Sequence, residues 1–157
     1  MKLQINKLMT GLAGEYMVAG MMNLKGWVAS LTLKNYPSVD IFGMNPTLNG
    51  KTVNIQVKSS WESSFIIGVK HSDRDRMDEK IKGPFVFVHC ENNLNGKEKV
   101  SFYILSKKQL IDLVNKSDDA YYNRPRVKPL KNDYPIALSI KNDLHPYEDK
   151  WDSLWLD

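Results

Sequence analysis

The sequence predicts an α/β domain built on a single mixed β-sheet flanked by helices. Three observations lead there. A segment of helical period opens the chain, several short runs of alternating apolar and polar residues follow it, and helix-like and strand-like segments then alternate toward the C-terminus. At 157 residues the chain fits one domain spanning 1–157, with no boundary visible in composition, and it is long enough to bury a full core without staples.

Leu3 to Lys25 is expected as the first helix. Leu8, Leu12, Glu15, Ala19 and Met22 recur at four- and three-residue spacing along one face, and Gly26 supplies the stop. Trp27 to Leu33 is expected as a strand, Asn35-Tyr36-Pro37-Ser38 as a turn, and Val39 to Met44 as a second strand. After the Asn49-Gly50 turn, Thr52 to Ser59 alternates cleanly. Val53, Ile55 and Val57 share one face, and Asn54, Gln56 and Lys58 the other. Phe65 to Val69 suits a fourth strand.

His71 to Lys82 is dense in alternating charge and is expected as a solvated loop or short helix. Phe85 to Cys90 and Val100 to Leu105 are further strands, joined by a polar turn at Asn95-Gly96. Ser106 caps a helix from Lys107 to Val114, and residues 115–135, with Pro125, Pro129 and Pro135, are expected to be irregular. Ile136 to Ile140 suits a late strand. Pro146 to Leu156 suits a final short helix whose Trp151 and Trp155 dock on the core or contact a second copy.

Composition sets limits on function. Cys90 is the single cysteine, which excludes an internal disulfide framework and a multi-thiolate zinc site. At the end of a β-like run it is expected as a buried small residue. The net charge of +4 leans mildly toward polyanions. No stretch is long and apolar enough to cross a bilayer, the N-terminus lacks a signal-peptide layout, and a cytoplasmic location is the default expectation. His71, His89 and His145 show no metal-ligand spacing.

Residues 12–60 hold the chemistry-bearing side chains. Glu15 falls on the apolar stripe of the first helix, where a carboxylate is costly unless something pairs with it. Asp40 falls within a strand-like segment, where aspartate is depleted. If the second and third strands pair antiparallel, Asp40 shares a face with Gln56 and Lys58. Two carboxylates with amide or carbonyl oxygens suit Mg²⁺, and a neighbouring lysine can orient or deprotonate water. Elsewhere, Tyr121-Tyr122-Asn123-Arg124-Pro125-Arg126-Val127-Lys128-Pro129-Leu130-Lys131 interleaves aromatic and basic residues, a candidate nucleic-acid contact or else a Pro-stiffened surface loop.

Gly14-Glu15-Tyr16, Pro37-Ser38-Val39-Asp40-Ile41 and Ile55-Gln56-Val57-Lys58-Ser59, in this order, resemble the PD-(D/E)xK nuclease superfamily, with its restriction-endonuclease-like fold, in a QxK variant with a resolvase-like arrangement. The resemblance covers the first sixty residues and only loosely the elements of 100–157. It implies a metal-dependent DNA endonuclease in which Glu15, Asp40, Gln56 and Lys58 are catalytic. It implies Mg²⁺, with Mn²⁺ as substitute, held by Glu15, Asp40, Gln56 and the Val57 carbonyl. Ser59, Ser60, Arg124, Arg126 and Lys128 are the expected DNA contacts, and a homodimer is compatible with cutting two strands. Gln56 stands where an acidic residue is usual, so a catalytically degenerate nucleic-acid-binding or partner-binding protein on the same fold is the alternative.

Overall fold

The structure is a computed structural model that describes residues 6–33, 38–92, 98–125 and 133–156. Helix α1 runs Lys7–Leu24, capped by the Asn6 side chain, which accepts from the Leu8 N–H at 3.0 Å. Gly26, at φ 85°, turns the chain out of the helix. The strands are β1 Val28–Leu31, β2 Ile41–Asn45, β3 Lys51–Ser60, β4 Ser64–Lys70, β5 Phe85–Asn92, β6 Glu98–Leu105 and β7 Pro135–Ser139. Two further helices are α2, Met77–Lys80, and α3, Lys107–Tyr122.

Five strands form one mixed sheet in the order β1-β2-β3-β5-β6. Only β3 and β5 run parallel. Helices flank this sheet, as the sequence predicts. Strands β4 and β7 pair antiparallel in a separate two-stranded sheet laid against the large one. The parallel step is closed by Gly83, where an added Cβ would lie 2.4 Å from the Asn54 carbonyl oxygen.

Phe85, Val86, Phe87 and Val88 are all buried, because β5 is covered on both faces. One core lies under α1, where Val18, Ala19 and Met22 pack on Ile41, Val53, Ile55, Val57, Val86 and Val88. The other lies on the opposite face, where Phe85, Phe87 and Leu105 meet Phe65, Ile67, Ile136 and Leu138 of the small sheet and Leu110 and Val114 of α3.

The buried stripe of α1 differs from the expected one. Thr10, Gly14, Val18, Ala19 and Met22 face the sheet, whereas Leu8 is 62% exposed. The helix is apolar on nearly every side, so spacing alone did not fix its rotation. The close fits do. An added Cβ on Gly43 would lie 2.5 Å from the Met22 terminal methyl, and Gly14 sits against Ser59.

Three further expectations are corrected. The short helix that is one of the two expectations for 71–82 forms as α2, but the charged run 71–76 is not a solvated loop. His71–Arg76 form a 3₁₀ turn leading into α2, and His71, Asp73, Met77 and Ile81 are buried. Helix α3 continues past Val114 to Tyr122, because Asp118, at 0% exposure, binds the His71 Nδ1 and accepts from Arg74 at 3.1 Å. The C-terminal segment is two short 3₁₀ turns, His145–Tyr147 and Trp151–Trp155, separated by Asp149 at φ 53°. It docks on the core as expected, with Trp155 stacked on Trp27 at 4.3 Å and Lys51 donating to the Trp155 carbonyl at 2.8 Å.

Cys90 is buried, and that burial pushes its thiol above the usual range. The Lys70 backbone N–H holds the Asp73 carboxyl below its ordinary value. Among the described residues no helix is long and apolar enough to cross a membrane. The turns expected at 35–37 and 95–96 lie outside the described residues.

Removing the Asp118 carboxylate would strand a buried imidazole. Asp118→Ala is expected to lower stability by about 2–3 kcal/mol in urea denaturation. Asp119→Ala, which loses only an exposed partner of Arg74, should leave the midpoint nearly unchanged. Equal effects would contradict this assignment.

Candidate functional site

Strands β2 and β3 part at Asp40. Their last matched pair is Ile41 with Ile55. Asp40 therefore lies immediately before β2 and not inside it, a correction to the sequence expectation. Its N–H donates to the Ile55 carbonyl at 2.9 Å, and its carbonyl accepts from the Thr32 N–H at 2.9 Å. The ladder ends there, and the next β3 donor on that side is the Val57 N–H. The Asp40 carboxylate accepts it, Oδ2 to N 2.7 Å. This is a charge-assisted bond that both completes the ladder and fixes the carboxylate in the fork.

The N–H and C=O of one strand residue point to the same side. The Val57 carbonyl thus opens onto the gap that holds the Asp40 carboxylate. Continuing the Ile41–Ile55 register sets Gln56 across from Asp40, and Lys58 follows two residues along the same face. All three side chains are half-buried. On its other side β3 is held by β5, with Gln56 beside Phe85 and Lys58 beside Phe87.

Glu15 lies on α1, which packs on the opposite face of β3. Helix α1 covers the Val53, Ile55 and Val57 side of β3, and a Cβ on Gly14 would lie 1.7 Å from the Ser59 Oγ. That close approach places the half-buried Glu15 at the level of the strand end just beyond Val57. Beyond Ile55, β3 has no paired β2 neighbour to separate the two faces of the sheet. Further along, where β3 runs on into β4, a cleft of about 480 Å³ is lined from α1 by Lys7 and Thr10 and from β3 and the turn after it by Lys58, Ser59, Ser60 and Trp61; of the expected catalytic residues only Lys58 lines it. The Trp61 indole N–H donates to the Thr10 hydroxyl at 3.3 Å across it.

The remaining expected contacts fall differently. The Ser59 hydroxyl is buried against Gly14 without a hydrogen-bond partner, while the residue also lines the cleft. The Ser60 hydroxyl accepts from the Glu62 N–H at 2.9 Å. Arg124 is exposed and lines a separate cleft of about 310 Å³ with Lys116, Ser139, Asn142 and Asp143. Arg126 and Lys128 lie outside the described residues. The Tyr121 ring stacks on His71 at 3.9 Å, and Tyr122 meets it edge-on, so both serve the fold.

Lys7, Thr10 and Trp61 were missed from sequence. Thr10 and Gly14 lie on the true buried stripe, and that four-residue spacing was the available signal.

Among the described residues no group of three or more His, Cys, Asp or Glu gathers as a metal cage. The fork offers oxygen donors of another kind: the Asp40 carboxylate, with Oδ1 not engaged by Val57, and the Val57 carbonyl, with Gln56 across from Asp40 in register. Such a set suits a hard cation that is held by one or two carboxylates and completed by water and substrate phosphate.

No protein-family model and no curated protein matches the chain. Among solved structures it is similar to I-Ssp6803I, a bacterial homing endonuclease, over 94% of this chain and 89% of that one, at 14% identity and a TM-score of 0.47. A likeness of that degree assigns nothing to the site.

Substituting Gly14 tests the approach of helix to strand. Gly14→Ala should cost about 1–3 kcal/mol through overpacking, and adding Ser59→Gly should recover part of it. A stabilisation of about 1 kcal/mol, the ordinary result for glycine to alanine in a helix, would contradict the close fit. Ser59→Ala alone should leave stability unchanged or raised, since it removes an orphaned hydroxyl.

Proposed function

We propose that the chain is a metal-dependent DNA endonuclease that hydrolyses phosphodiester bonds in the cytoplasm, in the manner of the PD-(D/E)xK enzymes its motifs resemble. The observation that carries this is the Asp40 carboxylate pinned in the strand fork by Val57, with Gln56 and Lys58 on the same face of β3 and Glu15 opposite.

Mg²⁺, with Mn²⁺ as substitute, would be held by Asp40, Glu15, the Gln56 amide oxygen and the Val57 carbonyl. When bound, it supplies charge neutralisation at the phosphate and a lowered pKa for water. Gln56 is neutral, so Glu15 provides the second negative charge. The Val57 N–H keeps the Asp40 carboxylate from rotating out of the gap. The Lys58 ammonium positions the attacking water and stabilises charge developing on the phosphate. Lys7, across the cleft from Lys58, suits a flanking phosphate, as does the net charge of +4.

A non-catalytic DNA-binding protein on the same fold is the second reading, and Gln56 is what favours it. Trp151 and Trp155 are already packed within the chain, which removes the motive for a partner site built on them.

Incubation with supercoiled plasmid in Mg²⁺, Mn²⁺ or EDTA separates these. Metal-dependent nicking is expected, reduced at least about 100-fold in Asp40→Asn and in Lys58→Ala. Asp40→Asn retains an acceptor for the Val57 N–H, so its thermal midpoint should stay close to that of the unaltered chain. Salt-sensitive DNA binding without cleavage would favour the second reading, and cleavage unaffected by both substitutions would overturn the proposed site.

A further inference from the structure

The wall of the cleft beside Lys58 carries apolar surface that the metal site does not use. Trp61 packs against the core under α1 and also lines the cleft. Its indole N–H is already engaged by the Thr10 hydroxyl, which in turn donates to the Asn6 carbonyl at 3.4 Å. The ring is therefore held in one orientation, and what it offers a ligand is its face and not its polar tip. Ile66 lines the same cleft from β4, and the fold leaves it 62% exposed.

Charge and size identify the occupant. Lys7 from α1 and Lys58 from β3 line the cleft together with this apolar surface, and among the described residues neither forms an ion pair. One carboxylate, that of the exposed Glu62, stands against these two cations, so the lining is net positive. Apolar surface among cations suits a molecule that is flat and stackable at its centre and anionic on either side. A nucleotide within a strand has that form, a base with a π-face between two phosphates. A space of about 480 Å³ is about 8 Å across, narrower than the roughly 12 Å of a major groove alone, so a base enters it and a duplex does not.

We propose that this cleft receives one unpaired nucleotide of a DNA strand, its base stacked on Trp61 and bounded by Ile66, its flanking phosphates on Lys7 and Lys58. The inference rests on the DNA reading above and names the substrate class within it: duplex interrupted by an unpaired nucleotide. Lys58 is shared by the cleft and the proposed catalytic set, so the phosphate it meets is the one to be cut. Drawing a base from a perfect duplex costs its pairing and stacking, and an already unpaired base is taken at little cost. The preference for interrupted DNA follows from that difference, with Trp61 as the residue that sets it.

Fluorescence anisotropy in EDTA, where nothing is cut, tests this with three labelled probes: a duplex, the same duplex with a single-nucleotide bulge, and that bulge made abasic. The bulged probe should bind at least about tenfold tighter than the duplex, and the abasic one within about twofold of it, since one stacked base is the difference. Trp61→Ala should abolish the preference. Trp61→Phe keeps a stacking face without the bond to Thr10 and should retain most of it. Ile66→Glu, at an exposed position where the fold is not at stake, sets a carboxylate among the phosphates and should weaken binding of the bulged probe about tenfold. Equal affinity for bulge and duplex, an abasic bulge bound as tightly as an intact one, or a preference that survives Trp61→Ala and Ile66→Glu would each overturn the proposal and leave DNA binding standing. Binding to none of the probes would overturn the DNA reading and this proposal with it.

Discussion

The hydrogen bond from the Val57 N–H to the Asp40 carboxylate holds the candidate site together. A strand that loses its neighbour leaves a donor unpaired, and an unpaired donor at the sheet interior is costly. Here a carboxylate takes the place of the missing strand. The substitution lets β2 turn away after Ile41 while β3 continues to Ser60 beside β5. The same bond fixes an acidic group beside the Val57 backbone carbonyl at one gap. That contact also accounts for aspartate at a position where a β-branched residue would otherwise fit better.

The second constraint is the approach of α1. Gly14 allows the helix backbone to touch Ser59, and Met22 fills the space left by Gly43. These two contacts, eight residues apart on the helix, fix its rotation and its height on the sheet. Among the described residues the outward face of the helix stays apolar and exposed.

Much of this was legible in the residues. The alternation of Val53, Ile55 and Val57 against Gln56 and Lys58 depends only on the pleat, so both the strand and its two faces could be read directly. The Asn49-Gly50 turn and the Ser106 cap are local signals, and both elements formed where they pointed. The architecture of a mixed sheet flanked by helices followed from element order. What failed was set by contacts distant in sequence. The rotation of α1 depends on glycines meeting β3 and β2, which a stripe of leucines and methionines does not reveal. The extension of α3 depends on Asp118 finding His71 and Arg74, and the charge run at 71–76 looked solvated for the same reason. The pairing of β4 with β7 joins segments some seventy residues apart, beyond any local pattern.

The most direct test of the central claim reads the fork itself, without relying on turnover. In a ¹⁵N-labelled sample titrated with Mg²⁺, the amide resonances of Asp40, Val57 and the α1 turn around Glu15 should shift together and saturate, and in Asp40→Asn they should not. Shifts that spare Val57, or that gather instead at Asp73 and Asp118, would contradict the placement of the metal at the parting of β2 and β3.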